Sequence, residues 1–117
     1  MRENDLLIRT KMFALRVIKL VDALPSTLVG RTIGGQLIRS GTSVSANYRA
    51  ACRGRSKAEF IAKLGIVEEE ADESCHWLEV IIEANLMEEK LVIDLLREAN
   101  EITAIMAASK RTARQRK

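Results

Sequence analysis

The residues able to do chemistry are concentrated in one stretch, Arg31 to Lys57, which contains no Asp or Glu: Arg31, Arg39, Tyr48, Arg49, Arg53, Arg55 and Lys57. A guanidinium is a planar fork of donors that stays charged and matches a phosphate. Wound into an α-helix at about 100° per residue, Arg31 and Arg49 fall on one line, with Arg53 and Arg39 roughly 40° and 80° round from it. Ile33, Leu37, Val44 and Ala51 take the opposite side, with Gly30, Gly34, Gly41 and Tyr48 beside them. One face can bury while the other presents arginine. A face that is merely solvated ordinarily mixes its charges, and this one does not. Arg31 to Arg53 would cover about 33 Å of helix, near one turn of duplex. Arg55 and Lys57 follow where the next helix opens with free N–H groups that themselves attract anions. The expected nucleic-acid-binding set is therefore Arg31, Arg39, Arg49, Arg53, Arg55 and Lys57, acting on the backbone of RNA or DNA in a salt-sensitive way. No signature of a base-reading module is present, so recognition by shape or backbone is expected. Tyr48 could stack on a base, but its place beside the apolar face assigns it to core or subunit packing.

Other chemistries find less support. Glu73-Ser74-Cys75-His76 contains the Glu-x-x-His of di-iron bundles, but those sites use the motif twice with two further inward glutamates, and this chain has one histidine. No metal and no cofactor is expected, and His76 is expected at the surface or an interface. There is no glycine-rich phosphate loop leaving a strand, no nucleophile elbow and no convergent Ser/His/Asp set. Cys75 and His76, adjacent on a helix, point about 100° apart and form no dyad. The expectation is a protein without catalytic residues. Cys52 and Cys75 make no CxxC and are expected as free thiols in a reducing compartment.

The elements that must position the arginines follow from periodicity. A chain of 117 residues makes one domain. It is aliphatic, poor in aromatics and holds the single proline Pro25, which points to an all-α fold. Asn4 or Asp5 is placed to cap a first helix striped by Phe13, Val17, Leu20 and Leu24, which ends near Leu24 because Pro25 disfavours helical geometry before it. Ser26 or Thr27 caps a second helix reaching about Arg53, and Gly54 is expected in a left-handed C-terminal conformation. Gly30, Gly34 and Gly41 share one side, which predicts close approach of a neighbouring helix. Ser56 to Glu59 reads as a capping box. Phe60, Leu64, Val67, Ala71, Ser74, Leu78 and Ile81 then form a heptad seam ending near Asn85. Val92, Leu95, Ala99, Ile102 and Met106 form the seam of a fourth helix. An antiparallel up-down-up-down four-helix bundle over residues 1–110 is expected, followed by a basic, mobile tail, 111–117. No apolar run reaches the roughly 20 residues of a membrane span, and MRENDLLIRT is too charged for a signal peptide. A cytoplasmic protein without membrane contact is expected.

The net charge of +3 conceals blocks: residues 31–63 carry seven basic groups and one acidic, residues 64–101 two and twelve, and residues 102–117 five and none. Such segregation implies either a polyanion partner or pairing of basic with acidic faces between copies. The second possibility defines a rival expectation, a protein–protein interaction scaffold that assembles through its own charges.

Leu24-Pro25, Gln36-Leu37, Arg39, Ser43-Val44-x-Ala46-Asn47, Arg53, Arg55, Ser56, Phe60 and Leu64 ahead of an acidic third helix form a pattern over about residues 5–108. This pattern resembles the small bacterial four-helix-bundle proteins first recognised as products of intervening sequences in 23S ribosomal RNA genes (S23 ribosomal protein-like). Accessory proteins of diversity-generating retroelements are similar to the same family. Many members have Pro-Ala-Asn-Ile-Ala-Glu-Gly where this chain has Ser45 to Ala51, so the acidic residue is replaced and Arg49 makes this version more basic. The resemblance implies a homo-oligomer, specifically a pentamer, with a basic surface, no catalytic residues, nucleic-acid binding, and a reverse transcriptase or ribosomal partner.

Overall fold

The computed structural model describes residues 2–116. Four helices account for nearly all of it: α1 (Glu3–Asp22), α2 (Leu28–Cys52), α3 (Lys57–Glu83) and α4 (Ile93–Gln115), with a 3-10 turn at Glu89–Leu91 leading into α4. No strand occurs among the described residues. Each helix packs on its neighbours in the opposite direction. Gly41 of α2 meets Val17 of α1, while Gly34 meets Val21 and Leu24. Arg39 of α2 reaches Glu70 and Glu73 of α3, and Cys75 of α3 reaches Asn100 of α4. Arg9 of α1 reaches Glu98 of α4. The result is an up-down-up-down four-helix bundle, a rod of 50 × 20 × 19 Å.

The helix ends follow local chemistry. Thr27 caps α2 by accepting from the Gly30 N–H at 3.0 Å, and Ser56 caps α3 by accepting from the Glu59 N–H at 3.1 Å. The Glu59 carboxylate reaches back to the Arg55 N–H at 3.1 Å, one residue beyond a standard capping box. Asn85, at φ 57°, is the left-handed residue that ends α3; around it Leu86 N–H donates to the Ile81 carbonyl and Asn85 N–H to the Ile82 carbonyl. Two expected ends differ. Arg2, not Asn4 or Asp5, is the cap position of α1, and its side chain makes no cap bond. Asp5 instead lies with Glu3 in the first turn, where carboxylates complement the helix dipole. Gly54 is not left-handed. Its N–H donates to the Ala51 carbonyl at 3.1 Å, and a Cβ there would crowd that oxygen at 3.1 Å, so compactness of the turn is the reason for glycine.

The core is the set of expected seams brought together. Phe13, Val17 and Leu20 of α1 with Leu24 just after it, Leu37, Val44, Tyr48 and Ala51 of α2, Leu64, Val67, Ala71, Leu78 and Ile81 of α3, and Leu95, Ala99, Ile102 and Met106 of α4 are all buried. Three buried hydroxyls interrupt it. Thr10 of α1 donates to the Leu6 carbonyl at 2.8 Å; Ser40 of α2 and Ser74 of α3 lie 2.9 Å apart, so that one donates to the other while the second donates into its own helix, Ser40 to the Leu37 carbonyl or Ser74 to the Glu70 carbonyl. Between α1 and α4, Arg9 forks onto both Glu98 oxygens at 2.7 and 2.8 Å. That hydrogen bonding holds the Glu98 carboxyl below its usual range. Helix α4 runs on past residue 110, the expected start of the tail, to Gln115. Ala113 is half-buried, and the Lys57 ammonium donates to the Arg116 carbonyl. Lys117 lies outside the described residues.

Gly41 and Gly35 make opposite demands. A Cβ on Gly41 would sit 2.8 Å from both Val17 methyls, and Val17 is fully buried with a stiff β-branched side chain. A Cβ on Gly35 would meet nothing within 4 Å outside its own stretch of helix. Thermal unfolding should therefore rank them in opposite directions: Gly35→Ala raises the midpoint, with a gain of about 0.5–1 kcal/mol from helix propensity, whereas Gly41→Ala lowers it, with overpacking of about 1–3 kcal/mol outweighing the same gain.

Candidate nucleic-acid interface

Antiparallel packing decides where the arginines go. The C-terminus of α2, the N-terminus of α3 and the C-terminus of α4 all arrive at one end of the rod. Arg49 and Arg53 stand on the last turns of α2, Arg55 lies in the turn, Lys57 opens α3, and Arg111, Arg114 and Arg116 follow on α4 and its end. All of these side chains are exposed. Arg49, Arg53 and Arg55 form no ion pair among the described residues, and Lys57 spends one donor on the Arg116 carbonyl. Arg49 and Arg53 also line a groove of ≈ 490 Å³ between α1 and α2. Lys11 and Glu3 lie on its α1 side, Ser45 and Cys52 on its α2 side, and Leu7 and Ile8 form its apolar wall.

The other two expected site residues lie apart. Arg31 is about 27 Å along α2 from Arg49, at the opposite end of the rod, where it donates to the Ser26 carbonyl at 2.9 Å. Arg39 lies midway and is occupied. It donates to Glu70 at 2.9 Å and to Glu73, and this pairing raises its already high pKa, with the Glu70 hydrogen bond the leading cause. The carboxylates come from the acidic run of α3. Lys110 is taken in the same way by Glu68 at 2.6 Å, and Arg9 by Glu98 and Glu101. The expected line of arginine is thus a concentrated end, a neutralised middle and one distant member. At the N-terminus of α3 the Glu59 N–H is already taken by Ser56, and the Glu59 carboxylate, which accepts from the Arg55 N–H ahead of the helix, puts a negative charge there.

Periodicity did not single out Lys11, Arg111, Arg114 and Arg116 as parts of this surface. A signal for the last three was present: Lys, Arg, Ala and Gln are strong helix formers, and cations are favoured at a helix C-terminus. Tyr48 is 2% exposed; its burial pushes the phenol pKa far up, so it is a core residue and not an open stacking platform. Burial likewise pushes the Cys52 thiol up, and that of Cys75 up to about 11. His76 is exposed and meets the edge of Trp77 at 4.8 Å between ring centres. No three potential metal ligands converge among the described residues, and no helix among them is long and apolar enough to cross a membrane.

Over residues 2–108 the sequence matches the family described as 23S rRNA-intervening sequence protein. The chain belongs to that family. A solved structure supports the same placement: a protein of unknown function from the S23 ribosomal protein family of Bacteroides thetaiotaomicron is 30% identical, with a TM-score of 0.83, over 95% of this chain and 99% of that one. No curated protein matches the sequence. Membership in the family accounts for the bundle and leaves its use to be argued from this chain's own charges.

The neutralised middle has a spectroscopic consequence. Glu73 accepts from the Trp77 indole N–H at 3.1 Å and from Arg39; these two bonds, the indole's first, hold its carboxyl below the ordinary value of 4.5. A carboxyl with a lowered folded pKa stabilises the fold above its unfolded pKa and loses that contribution as pH falls through the folded value. Trp77 fluorescence should therefore show a transition below pH 4.5, and Arg39→Gln should move its midpoint upward. An unmoved midpoint would show that Arg39 does not hold Glu73.

Proposed function

We propose that this chain is a non-enzymatic bundle that binds the phosphate backbone of RNA or DNA through the basic end of its rod. The observation that carries this function is the gathering at one end of guanidiniums with no ion pair among the described residues, Arg49 and Arg53 at the end of α2 with Arg111 and Arg114 from α4. Along the rod carboxylates meet Arg9, Arg39 and Lys110, while Arg16, Lys19 and Lys63 stand singly without an ion pair among the described residues. At this end the chain supplies few, and fixed positive charge with no internal partner matches a polyanion. Arg49, Arg53, Arg55 and Lys57 remain in the proposed site, joined by Arg111, Arg114 and Arg116; Arg39 and Arg31 fall outside it.

A second function is favoured by a specific observation: α1 is apolar on its outer side as well as its inner one. Ile8, Met12 and Leu15 are 59%, 53% and 53% exposed, and Ile18 43%. On the outward line of α2, Gly35, Ile38 and Thr42 lie between Arg31 and Arg49. An apolar centre with arginine at its rim is the composition of a protein interface, and the partner it fits is a second copy, giving the homo-oligomer that the family resemblance implies. The two functions are compatible, because the apolar face lies on the side of the rod and the basic cluster at its end.

Nucleic-acid binding measured across a salt series tests the first function. Arg49→Glu with Arg53→Glu should weaken binding at least tenfold and flatten the slope of log K against log salt by roughly 1.5, while Arg39→Gln should leave both unchanged. Equal effects of the two changes would place binding along the whole of α2 and refute the basic end as its site. Particle mass tests the second: Met12→Asp with Leu15→Asp should leave helicity intact and reduce the assembly toward the 13.1 kDa of one chain.

A further inference from the structure

At the basic end α1 and α4 do not close on each other. Their separation opens a cleft of ≈ 550 Å³, within the range of about 300–1,000 Å³ usual for small-molecule sites. Its floor is Leu6, Tyr48, Phe60 and Ile105. One wall is formed by the last turns of α4, whose side chains there are small and include the hydroxyls of Ser109 and Thr112. Phe60 differs from Tyr48 in being only half-buried, so an aromatic surface stands open in the cleft. At the mouth are Arg116 and the carboxylate of Glu3, with Lys57 close enough to bond the Arg116 carbonyl.

We propose that this cleft takes one unpaired base of a single-stranded nucleic acid, laid against Phe60, while Arg116 at the mouth and Lys57 beside it hold the adjoining phosphates. The inference rests on the polyanion-binding function proposed above and adds the form of nucleic acid. The interior suits a base and not a phosphate. No cation lines the floor, and an entering phosphate would pass Glu3. A flat, uncharged ring gains a stacking face, apolar contact with Leu6 and Ile105, and the Ser109 and Thr112 hydroxyls for its polar edge. The positive charge outside supplies the complement for the backbone that such a base carries. A duplex keeps its bases paired and stacked inside, so it can use the mouth but not the cleft.

Fluorescence anisotropy with three short labelled probes tests this: a single-stranded RNA, the same sequence as duplex, and a single strand of abasic units. Native protein should favour the single strand over both others. Phe60→Leu, which keeps an apolar side chain but removes the ring, should cost about tenfold on the single strand, as expected for one stacked base, and change the duplex and abasic affinities less than twofold. Phe60→Tyr should restore the preference. Losses of equal size on all three probes, or no loss on the single strand, would overturn the inference while leaving phosphate binding in place. A changed particle mass in Phe60→Leu would overturn it in favour of a second copy as the occupant. Failure of native protein to bind any of the three would remove the polyanion function and this inference with it.

Discussion

The contact on which the rest depends is Val17 seated on Gly41. Of the α2 glycines that face α1, Gly41 leaves the least room for a Cβ, and the contact works because Gly41 offers no side chain and Val17 has few rotamers to escape into. It fixes the longitudinal position of α1. With Val17 there, Val21 and Leu24 lie over Gly34, and the first turns of α1 come alongside Cys52, Arg49 and Arg53. Moving α1 one turn along α2 would press a side chain into each glycine and change what borders the arginines. The character of the basic end is therefore set in part by packing some 20 Å away from it.

Charge completes what packing begins, and it does so selectively. Arg9 binds α1 to α4, Arg39 binds α2 to α3, and Lys110 binds α4 to α3. The α1–α2 pair has no such tie among the described residues and relies on its glycine contact. Ion pairs at a protein surface contribute little by themselves. Their larger effect is on the surface: they remove positive charge from the middle of the rod. Segregation along the sequence thus becomes segregation along the molecule, since chain reversal returns the acidic α3 to the middle of the basic α2 while the ends of α2 and α4 escape it.

This explains which parts of the molecule could be read from residue order. Heptad spacing identified the buried side of every helix, from Phe13–Leu24 to Val92–Met106, because period and burial are local properties of one helix. Thr27, Ser56 and Asn85 were legible for the same reason, as each acts within its own turn. Gly54 was misassigned because glycine serves either handedness or compactness, and spacing alone does not separate the two. The arginine face was only partly legible. A helical wheel shows that Arg39 points outward, but not that Glu70 and Glu73 of another helix lie opposite it. The contribution of Arg111, Arg114 and Arg116 was hidden by the assumption that a segment lacking large apolar residues does not continue a helix; alanine, helix-favouring cations and the contact with Lys57 are enough.

The hydroxyl pair of Ser40 and Ser74 bears on how the chain avoids misfolding. Aliphatic heptads are nearly interchangeable, so α2 and α3 could be slid past one another by seven residues with their leucines and valines still in contact. That displacement would break the bond between the two oxygens and leave each with only its own helix's carbonyl as partner. A feature that adds little to adhesion therefore acts as a phase marker, making one alignment of two otherwise repetitive surfaces cheaper than its neighbours.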